Sequence, residues 1–206
     1  MDLKSGNKEQ LILEIAEKLF IEKGYTGTRT TEIASEAGVN HALLHYYYRT
    51  KENLFNKIFE QKASQLLGSF SINVDVDSPF MEKIKNVIET HFDFLWENPK
   101  LPFFIIREIV LDKERKYFML QNLLPIGKEL HQKIKTVIKK EICKGVIRPI
   151  KTTDLLLNII SLNVFAFVAA QIFFDMDTEK DKEKLKLFLE ERKKNNVEII
   201  INSIKC

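Results

Sequence analysis

Residues 30–55 read TTEIASEAGVNHALLHYYYRTKENLF. Two short helices joined by a tight turn fit this stretch, followed by a third helix that starts at a basic residue. Ile33, Ala34 and Ala37 stand where the first of them packs. Ala34 is small at the point where two steeply crossing helices need close backbone approach. Gly38 follows, and glycine ends a helix cheaply because it tolerates a left-handed backbone. Val39, Leu44 and Tyr47 carry the apolar pattern into the next helix. A small residue, a glycine four positions on, and apolar anchors one, six and nine positions beyond it make the pattern of a helix-turn-helix. That unit lays its second helix in the DNA major groove.

Outward from this stretch the chain reads as all-α. Leu11, Ile12, Ile15, Ala16, Leu19 and Phe20 line one face of a helix over about 8–23. Thr50 is placed to cap a helix from Lys51 to about Leu67. The run GSFSINVDVDSPF, 68–80, breaks the periodicity and predicts the joint between domains. Ser78 and Pro79 read as a cap and a first-turn proline for a helix reaching Asn98. Shorter helical pieces follow at FFIIREIVL and YFMLQNLL, then an amphipathic helix closing at Gly145, and an apolar helix that Thr153 is placed to cap. A last helix covers about 181–203. The expectation is about nine helices: a helix-turn-helix DNA-binding domain over 1–67, its motif at about 30–49, and a second helical domain over 78–206, the one to which the resemblance described below assigns effector binding and dimerisation.

Composition narrows the classes. A 45% hydrophobic and 30% charged chain is that of an ordinary soluble domain. The net charge of +3 does not announce nucleic acid, and residues 1–60 hold eight Lys/Arg against nine Asp/Glu. The DNA reading therefore rests on motif geometry and local charge: from Asn40 to Lys51 the only formal charges are Arg49 and Lys51. Cys143 and Cys206 have no paired spacing, which points to neither a disulfide framework nor a zinc knuckle. With no basic-then-apolar leader in residues 1–15, a cytoplasmic setting is expected. LLLNIISLNVFAFVAAQIFF, 155–174, is long enough to span a bilayer. Its three carboxamides do not share a face, so a helix buried between neighbours or subunits is the better reading, with no membrane as partner.

The N-terminal sixty or so residues resemble the DNA-binding domain of the TetR (tetracycline-repressor-like) family of bacterial regulators. ILEIAEKLFIEKGYTGTRTTEIASEAGV and HYYYRTKENLF carry the resemblance. In that family the first helix ends at Gly-Tyr or Gly-Phe, as at Gly24-Tyr25, and a Thr opens the second helix, as Thr28 is placed to do. An aromatic pair precedes a basic-Ser/Thr-Lys-Glu run, as in Tyr47-Tyr48-Arg49-Thr50-Lys51-Glu52. Leu43 departs from the usual Thr and His45-Tyr46 from the usual pair, which leaves the fold alone and bears on base preference.

The resemblance implies phosphate contacts from Thr28 and Tyr47, with the Tyr47 ring packed and its hydroxyl outward. Lys51, at a helix N-terminus, also suits a phosphate. Asn40, His41, Ala42 and His45 are the expected groove-facing positions, with Tyr46 beside them. Leu43 is suited to an apolar contact such as a thymine methyl. Arg29 and Thr30 are expected at the backbone or a base. His41 and His45 also have metal-ligand spacing, but no third ligand stands nearby and no metal is expected.

Glycine-rich phosphate loops, nucleophile elbows and spaced carboxylate pairs are all missing from the sequence, and no enzyme or cofactor is expected. The resemblance implies a homodimer through 154–175 and 181–203, reading a near-palindromic operator as a repressor responsive to a small apolar or amphipathic effector. His91, Trp96, Phe103, Phe104, Phe118, Asn163 and Phe167 are the residues set aside for that effector. The competing expectation is a helical ligand-binding or enzymatic protein that keeps the N-terminal unit for protein contacts.

Overall fold

The computed structural model describes residues 3–70, 78–122, 124–174 and 178–206. Among these it is all-α, with ten helices rather than nine: α1 Leu3–Gly27, α2 Thr30–Glu36, α3 His41–Tyr48, α4 Lys51–Gly68, α5 Phe80–Glu97, α6 Leu101–Leu111, α7 Lys113–Asn122, α8 Leu124–Cys143, α9 Thr152–Phe173 and α10 Glu179–Ile204. An isolated antiparallel bridge, Ile147 to Lys205, marks the VIRPI run. Residues 71–77 of the expected joint lie outside the described residues.

Two compact units form, and they are not two consecutive segments. The first holds residues 1–65 together with 100–124, and the second holds 66–99 with 125–206. The sequence division put α6 and α7 with the second segment. They group with the first because α6 packs on α1 and α7 packs on α6.

In the first unit Ile12, Ala16 and Phe20 of α1 are fully buried with Ile33, Leu44, Leu54, Phe55 and Ile58. Phe104 of α6 enters this core, its ring edge-on to Phe55 at 5.8 Å and to Phe59 at 5.9 Å. Offset and edge-on aromatic pairs of this kind add about 0.5–1.5 kcal/mol each beyond area burial. The turn of the helix-turn-helix is a Schellman cap. Val39 N–H donates to Ala34 C=O at 3.0 Å, Gly38 N–H donates to Ser35 C=O at 3.1 Å, and Gly38 has φ 61°. Ala34 is 3% exposed, as its small size at the crossing requires. The tyrosine that closes the core is not the one anticipated: Tyr48 is buried and its hydroxyl donates to Glu9 C=O at 3.2 Å, whereas Tyr47 is half-buried. Thr50 caps α4, accepting from Asn53 N–H at 3.0 Å.

In the second unit α5, α9 and α10 pack mutually. Ile84, Val87 and Ile88 of α5 share a core with Ile134 and Ile138 of α8, Leu155 and Ile159 of α9, and Ile200 and Ile204 of α10. A second cluster joins Phe92 and Leu95 to Ala166, Phe167, Ala170 and Leu189. Two expected caps fall elsewhere. Lys151, in extended conformation, precedes α9 without a side-chain cap, while Thr153 lies inside the helix with its hydroxyl 3.4 Å from His131 Nε2. Pro79, not Ser78, takes the N-cap position of α5.

The α9 helix is long and apolar enough to cross a membrane by length and composition. It is not buried all round within the chain: Leu155, Ile159, Asn163, Ala166, Phe167 and Ala170 face inward, while Leu157, Phe165, Ile172 and Phe173 are more than half exposed.

Candidate nucleic-acid interface

The α3 helix is eight residues long and anchored by buried Leu44 and Tyr48, which fixes which side faces out. His41, Ala42, His45 and Tyr46 are exposed, with Tyr46 at 77%, and the surface they make carries no formal charge. Leu43 and Tyr47 are half-buried at its edges. The sequence-predicted groove-facing set thus assembles on one side of α3, with one restriction. Asn40 is the N-cap, and its Oδ1 accepts from Leu43 N–H at 2.8 Å. With the oxygen already accepting at the cap, one lone pair of Oδ1 and the amide N–H groups are what Asn40 has left for a base.

The two histidines are held differently. His41 Nε2 lies 2.9 Å from Thr30 Oγ1, tying α3 to the start of α2. His45 Nδ1 lies 2.7 Å from the Arg49 carbonyl oxygen. A carbonyl only accepts, so His45 Nδ1 carries the proton and, in the neutral ring, Nε2 presents a lone pair. The rings meet edge to face at 4.6 Å. A neutral His45 therefore offers an acceptor, fit for the exposed amino group of cytosine or adenine.

Between α3 and α4, Arg49 has φ 57° and ψ −48°, and Thr50 N–H donates to Tyr48 C=O at 2.6 Å. This is a γ-turn in the left-handed region, costly for a residue with a side chain and the kind of strain that gathers at functional sites. It leaves Arg49 exposed beside α3. Arg29, also exposed, stands at the N-cap of α2 in extended conformation.

Thr28 is a correction. It is 1% exposed, and its hydroxyl lies 2.8 Å from Gly24 C=O and 3.2 Å from Leu19 C=O. The side chain is spent closing the end of α1, and Arg29 rather than Thr28 leads into α2. Gly24 forces that arrangement. Its φ of 73° and ψ of 176° are open essentially to glycine alone, and a Cβ there would sit 2.9 Å from Glu108 Oε1.

Lys51 is half-buried, with its ammonium 4.2 Å from the centroid of the Tyr25 ring. Burial, and then the nearby Arg115 guanidinium, lower its pKa from the ordinary lysine value. Tyr25 is pushed up to about 12, first by burial and then by its bond with Glu52. Arg115 of α7 approaches the same ring at 4.4 Å. Glu108, 4% exposed, accepts from Tyr25 N–H at 3.2 Å and pairs with Arg115 Nε at 3.0 Å and Arg107 Nε at 3.3 Å. Sequence reasoning missed this group. The signal was an Arg107-Glu108 pair inside the otherwise apolar LPFFIIREIVL.

The residues set aside for an effector divide between the units. Phe103, Phe104 and Phe118 lie in the first, where Phe104 is core; His91, Trp96, Asn163 and Phe167 lie in the second. There the Asn163 amide donates to Ile88 C=O and to His91 Nδ1, both at 3.0 Å. Asn163 Oδ1 accepts from Asn196 Nδ2 at 3.0 Å, and Asn196 Oδ1 accepts from Arg192 at 2.8 Å. The carbonyl at one end and the guanidinium at the other fix both amide orientations, and this buried chain satisfies itself.

Residues 6–58 match the sequence model of the bacterial regulatory proteins, tetR family. The chain is similar to the nucleoid occlusion factor SlmA of Mannheimia succiniciproducens, 25% identical over 109 residues, 53% of this chain and 50% of that one. It is also similar to the HTH-type transcriptional regulator QacR of Staphylococcus aureus, 39% identical over 59 residues, 29% of this chain and 31% of that one. The chain spans about half the length of the first of these relatives and less of the second. A tetR family transcription regulator from Marinobacter aquaeolei shares the fold, with a TM-score of 0.71 at 16% identity, over 100% of this chain and 99% of that one. Over residues 6–58 the chain thus carries the N-terminal domain of the bacterial regulatory proteins, tetR family.

Proposed function

We propose that this protein is a cytoplasmic, sequence-specific DNA-binding transcriptional regulator, a repressor that reads a near-palindromic operator as a homodimer. The observation that carries the reading is the exposed surface of α3, uncharged, polar and aromatic, with Arg49, Arg29 and Lys51 around it. Base edges are read by such a surface and phosphates by the cations that border it. His45 Nε2 and Tyr46 are the groups best placed to choose sequence.

The second copy is the occupant best suited to the outer face of α9. Leu157, Phe165, Ile172 and Phe173 are exposed there at 55–70%. Beside them a cleft of about 690 Å³ runs between α9 and α10, lined by Val164, Phe165, Val168 and Phe173 with Phe188 and Arg192. An apolar face of this length on a free monomer invites association. A two-fold axis through it gives the pair of recognition helices that two half-sites need. An apolar or amphipathic effector belongs to the same reading, held in the second unit near Trp96 and Phe167. His91 and Asn163 satisfy each other, so a polar group on the effector must displace their bond to gain from it.

Fluorescence anisotropy with a mixed-sequence 30-base-pair duplex, followed across salt, tests the interface. Replacing Arg49 and Lys51 by alanine is expected to weaken binding and to flatten the plot of log K against log salt by about 0.9 for each cation lost. Binding that keeps its strength and slope in a folded double variant overturns the assignment.

A further inference from the structure

Two cations share one aromatic ring in the first unit. Lys51 Nζ and Arg115 Cζ lie 4.2 and 4.4 Å from the centroid of Tyr25. A ring face attracts a cation, and two like charges close together in a half-desolvated place oppose one another. Arg115 is fixed from α7: it is 8% exposed, its Nη2 lies 2.6 Å from Asp112 and its Nε 3.0 Å from Glu108. Arg107 and Glu108 anchor the same group to α1, through Phe20 C=O at 3.2 Å and Tyr25 N–H at 3.2 Å. Lys51 is the one partner on a flexible stem, and it sits at the turn that leaves α3.

We propose that Arg115 is a positioning residue for Lys51: by occupying the Tyr25 ring and repelling the ammonium, it keeps Lys51 poised to leave the ring for a DNA phosphate. This regulates the site described above and rests on that reading. Removing the guanidinium frees the ring and leaves the Glu108 carboxylate to draw Lys51 inward. A shift of α7 relative to α1 has the same consequence, so a conformational change that reaches α7 alters DNA affinity without touching α3.

The test compares wild type, Lys51→Met, Arg115→Met and the double variant on the 30-base-pair mixed-sequence duplex. Arg115→Gln, which keeps a donor for Glu108, replaces Arg115→Met if the latter does not fold. Arg115→Met is expected to cut the salt slope by about 0.9 per protomer, as Lys51→Met does, and the double variant no further. Arg115→Lys, which keeps the charge, restores the wild-type slope. An unchanged slope in Arg115→Met, or losses that add in the double variant, overturns the proposal.

A second readout needs no DNA: the rate at which an acylating reagent modifies Lys51, followed by mass spectrometry. Acylation of Lys51 slows in Arg115→Met if the proposal holds, and an unchanged rate overturns it. If Lys51→Met leaves the salt slope untouched while acylation slows, the phosphate role of Lys51 fails and the coupling to Arg115 stands.

Discussion

Acidification from pH 7 to pH 5 should destabilise this protein through His91. It is 1% exposed, packed against Phe70 at 4.0 Å between centroids with the rings tilted by 33°, and burial pushes its pKa down to about 3. Geometry agrees, because Nδ1 accepts from the Asn163 amide, whose orientation is fixed by Ile88 C=O and Asn196. A proton on Nδ1 would set donor against donor. In the unfolded chain the imidazole titrates near 6.5. Between about pH 3 and 6.5 the unfolded state therefore binds more protons than the native state, and stability rises with pH across that window. The contribution is complete above 6.5 and is lost progressively as pH falls towards 3. At 1.36 kcal/mol per unit, the drop from pH 7 to pH 5 removes about 2 kcal/mol.

Urea unfolding followed by circular dichroism at both pH values, at one fixed protein concentration, measures it. His91→Asn is the control: it keeps an acceptor near the Nδ1 position, loses ring packing, and does not titrate. Its stability at pH 7 is lower, but its loss on going to pH 5 should be smaller than the wild-type loss by about 2 kcal/mol. Equal losses in the two proteins would refute the buried neutral histidine and the amide orientations inferred with it.

Gly24→Ala should destabilise by at least about 2 kcal/mol, read as a lowered denaturation midpoint, because the conformation excludes a Cβ and Glu108 stands against it. Thr28→Val keeps the shape but leaves the Gly24 carbonyl without its buried donor. It should cost about 1–2 kcal/mol of stability while DNA affinity of the folded protein holds, the opposite of what loss of a phosphate contact would give. Phe165→Asp with Phe173→Asp should turn a dimer into a monomer by light scattering, with helix content retained, since both side chains point away from the chain's own core.

Much of the first unit was legible because its signals are local. A Schellman glycine, a threonine cap and a small residue at a helix crossing all act within a few positions of themselves. The three consecutive tyrosines, 46–48, show where this stops. Each step along a helix turns the side chain by about 100°, and an eight-residue helix is too short for periodicity to say which ring points inward. The structure puts Tyr48 inward and Tyr46 outward. Thr28 was misplaced for a related reason: its hydroxyl answers carbonyls freed by the unusual backbone of Gly24, which no pattern of residue types reveals. The grouping of α6 and α7 with the first unit depends on contacts between residues more than eighty positions apart, such as Tyr25 with Glu108. In α9 the apolar pattern covers every face, so the sequence does not separate the face buried within the chain from the one left exposed.

Selection from a random duplex pool at physiological salt, with the purified protein, tests the central claim most directly. Enrichment of an inverted repeat, lost when His45 and Tyr46 are replaced by alanine, is the predicted result. A folded dimer that enriches no sequence would contradict it.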